Sequence, residues 1–197
     1  MMVLVIGGSG SGKSAYAESL TDDLMKEEYT KGKVDARGCV LQAGCRKYYL
    51  ATMKVFDEEG RKKVERHRRL RSGKGFDTVE QSTDIHRAVE KMGTEKQIVL
   101  LECLSNLMAN EMFSGKRIGA TPQVVEKIMR GLEVLRAQTT HLIVVTNNVF
   151  EDGIVYEETT MEYIRTMGEL NRRLADQADQ VVEVVAGIPV IIKRNSG

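Results

Sequence analysis

The 197-residue sequence has few cysteines, no long hydrophobic run and no excess of charge of one sign. Three cysteines in a chain of this length do not make a disulfide framework, so we expect reduced thiols and a cytoplasmic protein. Twenty-nine Lys and Arg against 28 Asp and Glu give a net charge of +1, which excludes a uniformly basic nucleic-acid binder and an acidic disordered protein.

Hydrophobic runs are too short to predict a membrane or targeting segment. The run at residues 1–6 is shorter than the core of a signal peptide and is followed at once by glycines. The run at 181–192 is interrupted by Glu183, Gly187 and Pro189, whereas a transmembrane helix needs about 20 apolar residues. We therefore expect a soluble protein without a membrane span. Because no internal repeat, low-complexity tract or linker occurs, we also expect a single domain over residues 1–197.

Short apolar runs alternate with helical patterns along the chain. Strands are predicted at 3–6, 48–52, 77–80, 98–101 and 141–146, with two more joined near Gly187 within 180–193. Helices are predicted at 13–26, 57–71, 85–92, 103–113, 122–138 and 160–178, and a polar surface excursion at 27–46. Val/Ile/Leu strands between helices are typical of a parallel sheet covered on both faces. The fold class predicted is α/β, mostly parallel, with an antiparallel edge at the C-terminus.

A glycine-rich segment directly after the first predicted strand matches the phosphate-binding pattern G-x-x-x-x-G-K-[ST]. It comprises Gly7, Gly8, Ser9, Gly10, Ser11, Gly12, Lys13 and Ser14. Backbone amides in such a loop surround a phosphate, and the following helix N-terminus adds positive potential. Lys13 is placed to reach the β- and γ-phosphates, and Ser14 to bind Mg²⁺. The alternative is a glycine-rich turn without a ligand; the pattern favours a P-loop NTPase-like fold without identifying the reaction.

Glu102 ends the apolar strand predicted at 98–101. A carboxylate at the C-terminal end of a central parallel strand faces the phosphate loop, where it can act on Mg²⁺ or its water ligands. The alternative is an acidic residue that stabilises the first turn of the helix that follows. Cys103, the next residue, is interpreted as a small core residue.

A strongly basic helix around His67 is the second candidate site. Residues 61–74 contain eight Lys or Arg and one Glu, a net charge of +7, which leaves −6 for the rest of the chain. Helical spacing places His67, Arg68 and Arg71 on one face. Neighbouring arginines disfavour a protonated histidine and bind phosphate, an arrangement that suits covalent capture of a phosphoryl or nucleotidyl group. A solvated basic helix with an incidental histidine remains the alternative, and nucleic-acid contact is disfavoured because no aromatic residues interleave the charges.

Further motifs occur in a fixed order along the chain. They are Val5–Gly8 into Gly12–Ser14, Tyr49–Thr52, His67-Arg68-x-x-Arg71, Thr78–Glu80, Leu100–Leu104 with Asn106–Leu107, Val145–Asn147, Asn171-x-x-Leu174-Ala175 and Val184–Pro189. From residue 1 to 193 the chain resembles the bifunctional adenosylcobinamide kinase / adenosylcobinamide-phosphate guanylyltransferases of cobalamin biosynthesis. The His-Arg-x-x-Arg helix and the two C-terminal motifs are more specific to that family than the phosphate loop.

The resemblance implies two reactions. In the first, ATP or GTP phosphorylates adenosylcobinamide; in the second, GMP from GTP is carried on a histidine to adenosylcobinamide phosphate, giving adenosylcobinamide-GDP. His67 matches the guanylylated histidine, and the family's nucleotide-binding positions match residues 7–14, Ala51, Thr52, Met53, Arg68, Arg69, Leu70, Arg71, Glu80 and Glu102. A P-loop α/β sheet and a trimeric assembly are also implied.

The chain departs from the family pattern in its loops. Residues 26–46 look like an insertion, and residues 148–156 differ in a loop expected at the ligand-binding edge of the sheet. Two rival functions therefore stand beside the resemblance. One is a P-loop small-molecule kinase in which His67 only binds phosphate or supports structure. The other is a nucleotide-dependent switch whose basic helix binds an acidic partner.

Overall fold

The computed structural model describes residues 1–30, 45–54, 58, 61, 62, 65, 69, 73–93, 96–113, 121–148, 153–154 and 156–195. In this part of the chain the strands are β1 (Met2–Gly7), β2 (Cys45–Ala51), β3 (Phe76–Glu80), β4 (Lys96–Glu102), β5 (His141–Asn147), β6 (Gln180–Val185) and β7 (Ile188–Arg194). The α-helices are α1 (Lys13–Thr30), α2 (Leu104–Phe113), α3 (Thr121–Gln138) and α4 (Glu158–Gln177), and a 3₁₀ helix spans Ile85–Lys91.

The strands form one sheet in the order β3-β2-β4-β5-β1-β6-β7. All neighbours are parallel except β6 and β7, which pair antiparallel. The predicted mixed α/β sheet with an antiparallel C-terminal edge is therefore confirmed. Because β1 lies between β5 and β6, the phosphate loop leaves the sheet near its centre, at the edge where parallel strands present their C-terminal ends.

Helices cover both faces of the sheet, which gives two hydrophobic clusters. One contains Val3 and Val5 with Ala17 and Leu24 of α1. The other contains residues of α2, α3, α4 and the 3₁₀ helix packed on alternate strand residues such as Leu4. Strand residues of both clusters are buried, which explains why the sequence shows continuous apolar runs there rather than a polar–apolar alternation. No helix in the described ranges is both long and apolar enough to cross a bilayer.

The polar surface excursion predicted at 27–46 is wrong at both ends, while the insertion relative to the family placed at 26–46 stays a prediction. Helix α1 continues to Thr30 and β2 begins at Cys45; residues 31–44 lie outside the described residues. In this added part of α1 Glu28 is buried, with its Oε1 3.3 Å from Nε2 of His141 on β5. A carboxylate with a buried polar partner does not behave as a surface residue, and local sequence does not show that partner.

Two further helix predictions are refined by the structure. The segment predicted as a helix at 85–92 is a 3₁₀ helix, in which buried Ile85 and Ala88 lie three residues apart on one face. Most of the helix predicted at 57–71 lies outside the described residues, although residues 58, 61, 62, 65 and 69 are helical. The single domain over residues 1–197 stays a prediction.

Candidate nucleotide-binding site

The loop between β1 and α1 has the backbone geometry of a phosphate cradle. Gly10 and Gly12 have φ values of 73° and 89°, in the region that side chains disfavour. The Ser11 amide donates to the Gly8 carbonyl at 3.2 Å, and the Tyr16 amide to the Gly12 carbonyl at 3.0 Å, so the loop curls directly into α1. The loop therefore has the curled backbone that the spacing of its glycines predicted.

The β6–β7 turn, which lies far along the chain, packs against this loop. Ala186 and Gly187 form it with φ values of 50° and 83°, the positive-φ pair that a two-residue hairpin favours. The Gly187 amide donates to the Ser11 carbonyl at 2.8 Å. A Cβ placed on Gly12 would lie 3.2 Å from the Cα of Gly187. The close approach of two glycine backbones thus fixes the loop against the end of the sheet. A cavity of about 330 Å³ beside them is lined by residues 8–11, Asn148 and residues 183–186.

Lys13 lies buried at the start of α1, and its Nζ donates to the Gly8 carbonyl at 3.0 Å. The Lys13 side chain therefore reaches across the loop, from the start of α1 back to Gly8. A phosphate in the loop offers this donor a charged acceptor in place of a neutral carbonyl, and hydrogen bonds between charged groups are the stronger ones. The predicted phosphate-contacting position of Lys13 is consistent with this geometry.

Ser14 and Glu102 meet at the base of the phosphate loop. The Ser14 hydroxyl donates to Oε1 of Glu102, and the Tyr49 hydroxyl donates to Oε2 at 3.0 Å. Glu102 thus makes its side-chain contacts across the sheet, with α1 and β2, rather than as a cap of the helix that follows. Both carboxylate oxygens have a donor, so the carboxylate is held in one orientation.

This donor set fits Mg²⁺. A hydroxyl that donates its proton to a carboxylate keeps lone pairs for a cation, and Mg²⁺ prefers such hard oxygen ligands. The described residues contain no cluster of three or more His, Cys, Asp or Glu that could hold a metal by itself. Mg²⁺ at nucleotide sites commonly takes one or two protein ligands together with substrate phosphates, so Ser14 and Glu102 are sufficient.

Thr52 anchors the segment that follows β2. Its side chain is fully buried, its hydroxyl donates to the Cys103 carbonyl at 2.7 Å, and its amide donates to the Glu102 carbonyl at 3.2 Å. Asn110 of α2 donates to the Thr52 carbonyl at 2.8 Å. Thr52 therefore holds β2 and β4 together beside the site, while the neighbouring Ala51 and Met53 are half-buried.

Burial raises the pKa of the Cys103 thiol, although a hydrogen-bond contact with Ser105 opposes the shift. Its Sγ lies 3.0 Å from the Ser105 hydroxyl, which also accepts a hydrogen bond of 2.8 Å from the Asn147 side chain. A thiol with a raised pKa is a poor nucleophile, but Cys103 is half-buried, so the prediction of a small core residue is not confirmed.

Comparison with known proteins supplies the family. The sequence model described as "Cobinamide kinase / cobinamide phosphate guanyltransferase" matches residues 3–192. The chain belongs to that family. The predicted family, and with it a bifunctional kinase and nucleotidyltransferase enzyme, is confirmed.

Relatives match over nearly their whole length. The bifunctional adenosylcobalamin biosynthesis protein CobU of Escherichia coli (strain K12) is 29% identical over 98% of this chain and 100% of its own. The protein of the same name from Salmonella typhimurium is 28% identical, with the same coverage. Among solved structures, a KaiC-like protein of Pyrococcus horikoshii OT3 is 13% identical, with a TM-score of 0.43 over 92% of this chain and 69% of that one.

The structure brings several of the residues predicted from this family to one edge of the sheet. In register, Ala51 pairs with Glu80 on one side and with Glu102 on the other, so the three lie at the same level. Residues 7–14 and 51–53 lie at the same C-terminal edge. Sequence reasoning did not include Tyr49 or Gly187 in the site, because the contacts that place them there join distant segments.

The histidine site lies mostly outside the described residues. His67, Arg68, Leu70 and Arg71 fall there, and their placement stays a prediction. Arg69 is described: it is exposed and its Nε lies 3.3 Å from Oε1 of Glu65, four residues earlier on the same helical segment. An exposed pair of this spacing contributes little to stability, so Arg69 remains available for a ligand.

Proposed function

We propose that the protein phosphorylates adenosylcobinamide with ATP or GTP and then transfers GMP from GTP, through a GMP-histidine at His67, to adenosylcobinamide phosphate. The product is adenosylcobinamide-GDP. The family match over residues 3–192 is the observation that carries the proposal. The phosphate loop with Lys13, and the Ser14–Glu102 pair beneath it, support it because both transfers need a bound triphosphate.

In the kinase step the substrate hydroxyl oxygen attacks the γ-phosphorus, the bond to the β,γ-bridging oxygen breaks, and the hydroxyl proton is released. The backbone amides of residues 8–14 and the Lys13 ammonium bind the β- and γ-phosphates and offset the charge on the leaving diphosphate. Mg²⁺ held by Ser14 and Glu102 would supply further neutralisation of the phosphate oxygens.

In the guanylyl step a ring nitrogen of His67 attacks the α-phosphorus of GTP, and pyrophosphate leaves. A phosphate oxygen of adenosylcobinamide phosphate then attacks the same phosphorus, the P–N bond breaks, and the imidazole is regenerated. The step needs a neutral imidazole with cations on the phosphate, and helical spacing predicts His67, Arg68 and Arg71 on a common face for these roles. This assignment is supported by the sequence pattern and the family.

The decisive experiment labels the protein with GTP carrying ³²P at the α-phosphate, in the presence of Mg²⁺, before denaturation. We expect an acid-labile, alkali-stable label that is absent in His67→Ala and retained in His86→Ala. His86 is the matched control because it is an exposed histidine on the 3₁₀ helix. Lys13→Ala should reduce both the label and γ-phosphate transfer to adenosylcobinamide.

Each rival function has its own outcome. γ-Phosphate transfer without any covalent label would contradict the guanylyltransferase step and favour a plain kinase. Nucleotide binding with neither transfer would contradict both activities and favour a switch protein.

We also propose that the protein works in the cytoplasm as a homo-oligomer, with the trimer that the family resemblance implies. Its partners would be small molecules, without nucleic acid. Sedimentation equilibrium tests the assembly, and a monomer across the micromolar range would contradict it.

A further inference from the structure

Tyr49 on β2 is a buried tyrosine with its hydroxyl in the candidate site. The residue is 3% exposed, and its ring packs edge-on against Phe76 at a centroid distance of 6.2 Å and an interplanar angle of 82°. The hydroxyl donates to Oε2 of Glu102 at 3.0 Å. The ring is held by packing in the cluster that includes α1, so the hydroxyl has a fixed position from which to reach the carboxylate.

The contact with Tyr49 completes the hydrogen bonding of Glu102. Ser14 donates to Oε1, so without the tyrosine the second oxygen would lack this donor. A carboxylate held by two donors on two different structural elements has little freedom to rotate. Residues that orient a metal-site carboxylate in this way commonly change metal affinity by about 10- to 100-fold when removed.

We propose that Tyr49 is a positioning residue that holds the Glu102 carboxylate where Ser14 and a Mg²⁺–nucleotide complex meet it. The inference rests on the proposed nucleotide-dependent function of the same site. Tyr49 acts through Glu102: its hydroxyl is directed at the carboxylate, while the phosphate cradle is built by residues 7–14. The inference gives a role to Tyr49, which the Tyr49–Thr52 motif includes but which was not among the predicted site residues.

The adjacent Tyr48 provides a matched control. It is 4% exposed, and its hydroxyl accepts a hydrogen bond of 2.9 Å from the Gly93 amide. It belongs to the hydrophobic cluster on the opposite face of the sheet. Tyr48→Phe and Tyr49→Phe thus each remove a buried hydroxyl of β2 together with the hydrogen bond described for it, but only Tyr49→Phe touches the candidate site.

The test is a binding titration by calorimetry with the α,β-methylene analogue of GTP, which cannot guanylylate His67. It is run with Mg²⁺ and with EDTA on wild type, Tyr49→Phe, Tyr48→Phe, Glu102→Ala and the double variant Tyr49→Phe/Glu102→Ala. We expect Tyr49→Phe to weaken Mg²⁺-dependent binding about tenfold and to leave binding in EDTA unchanged. Tyr48→Phe should match wild type in both. The double variant should bind no more weakly than Glu102→Ala, because Tyr49 has no carboxylate left to position.

The inference is overturned if Tyr49→Phe binds the nucleotide with Mg²⁺ as tightly as Tyr48→Phe does. It is also overturned if the losses of binding free energy caused by Tyr49→Phe and Glu102→Ala add up in the double variant. Circular dichroism and Tm of all variants check that each is folded at the titration temperature. Failure of the proposed function gives a different result: a wild type that binds Mg²⁺–GTP through Glu102 and Tyr49 but shows neither the α-phosphate label nor γ-phosphate transfer.

Discussion

Two glycines of the phosphate loop should respond in opposite ways to the same added methyl group. Gly12 has a φ of 89°, and a Cβ there would lie 3.2 Å from the Cα of Gly187, a backbone atom that cannot rotate away. Gly8 has no positive φ, and a Cβ there would meet no atom within 4 Å. Gly12→Ala therefore introduces backbone strain and a close contact, and Gly8→Ala introduces neither.

The expected magnitudes follow from these geometries. A non-glycine residue at such a φ costs about 1–3 kcal/mol, and displacement of the β6–β7 turn adds to this. With Tm shifting about 2–4 °C per kcal/mol in a chain of this size, this strain alone should lower the Tm of Gly12→Ala by about 2–12 °C. Gly8→Ala should be neutral or stabilise by about 0.4–1 kcal/mol, because alanine restricts the unfolded chain.

Thermal unfolding of the nucleotide-free protein, followed by circular dichroism, measures both variants without interference from ligand contacts. Gly187→Ala is a useful companion: its φ is 83° but its Cβ would meet nothing within 4 Å, so it isolates the cost of backbone strain. The reasoning is refuted if Gly12→Ala melts at or above the wild-type temperature, or if Gly8→Ala loses as much stability as Gly12→Ala.

Two predictions concern ionisable groups. The hydrogen bond from Lys127, whose Nζ lies 2.7 Å from Oδ1 of Asp84, holds the pKa of Asp84 below its usual value of 3.8. The ionised Asp84 therefore stabilises the fold at pH values above 3.8, and this contribution is lost as the pH falls through the folded pKa. The Tm difference between wild type and Asp84→Asn should shrink towards pH 3. A Tm difference that grows on acidification would contradict this prediction. Because burial raises the pKa of Cys103, its alkylation by iodoacetamide should be slow at pH 7 and should accelerate past pH 9, as read by peptide mass spectrometry; rapid modification of the folded protein at neutral pH would contradict this.

The elements predicted best from sequence are those specified by local pattern. The apolar run of β1, the glycines after it and the start of α1 at Lys13 form a unit whose strand, turn and helix each have their own signal. The antiparallel edge was also predictable, because β6 and β7 are too close in sequence for a crossover helix. The position of Glu102 at the end of β4 was also predictable from local pattern, because a carboxylate that follows an apolar run marks the end of the strand.

Contacts between distant segments could not be predicted in this way. The hydroxyl of Tyr49 is one of two on consecutive residues, and only the sheet register decides which of them reaches Glu102. Beyond the predicted end of α1, Glu28 contacts His141 of β5, and Gly187 packs on Ser11 where β6 lies beside β1. In each case the deciding partner is a tertiary neighbour rather than a local pattern.

The position of β1 in the sheet has a consequence for how the protein is made. Met2 pairs with Leu142 and Val3 with Gln180, so both sheet neighbours of β1 are synthesised long after it. The strand leaves the ribosome as an apolar segment whose backbone groups stay unpaired until β5 and β6 have been synthesised. Such delayed pairing slows folding and exposes the nascent chain to aggregation. The phosphate loop gains its contact with the β6–β7 turn later still, because the Gly187 amide that donates to the Ser11 carbonyl is synthesised after all of β6.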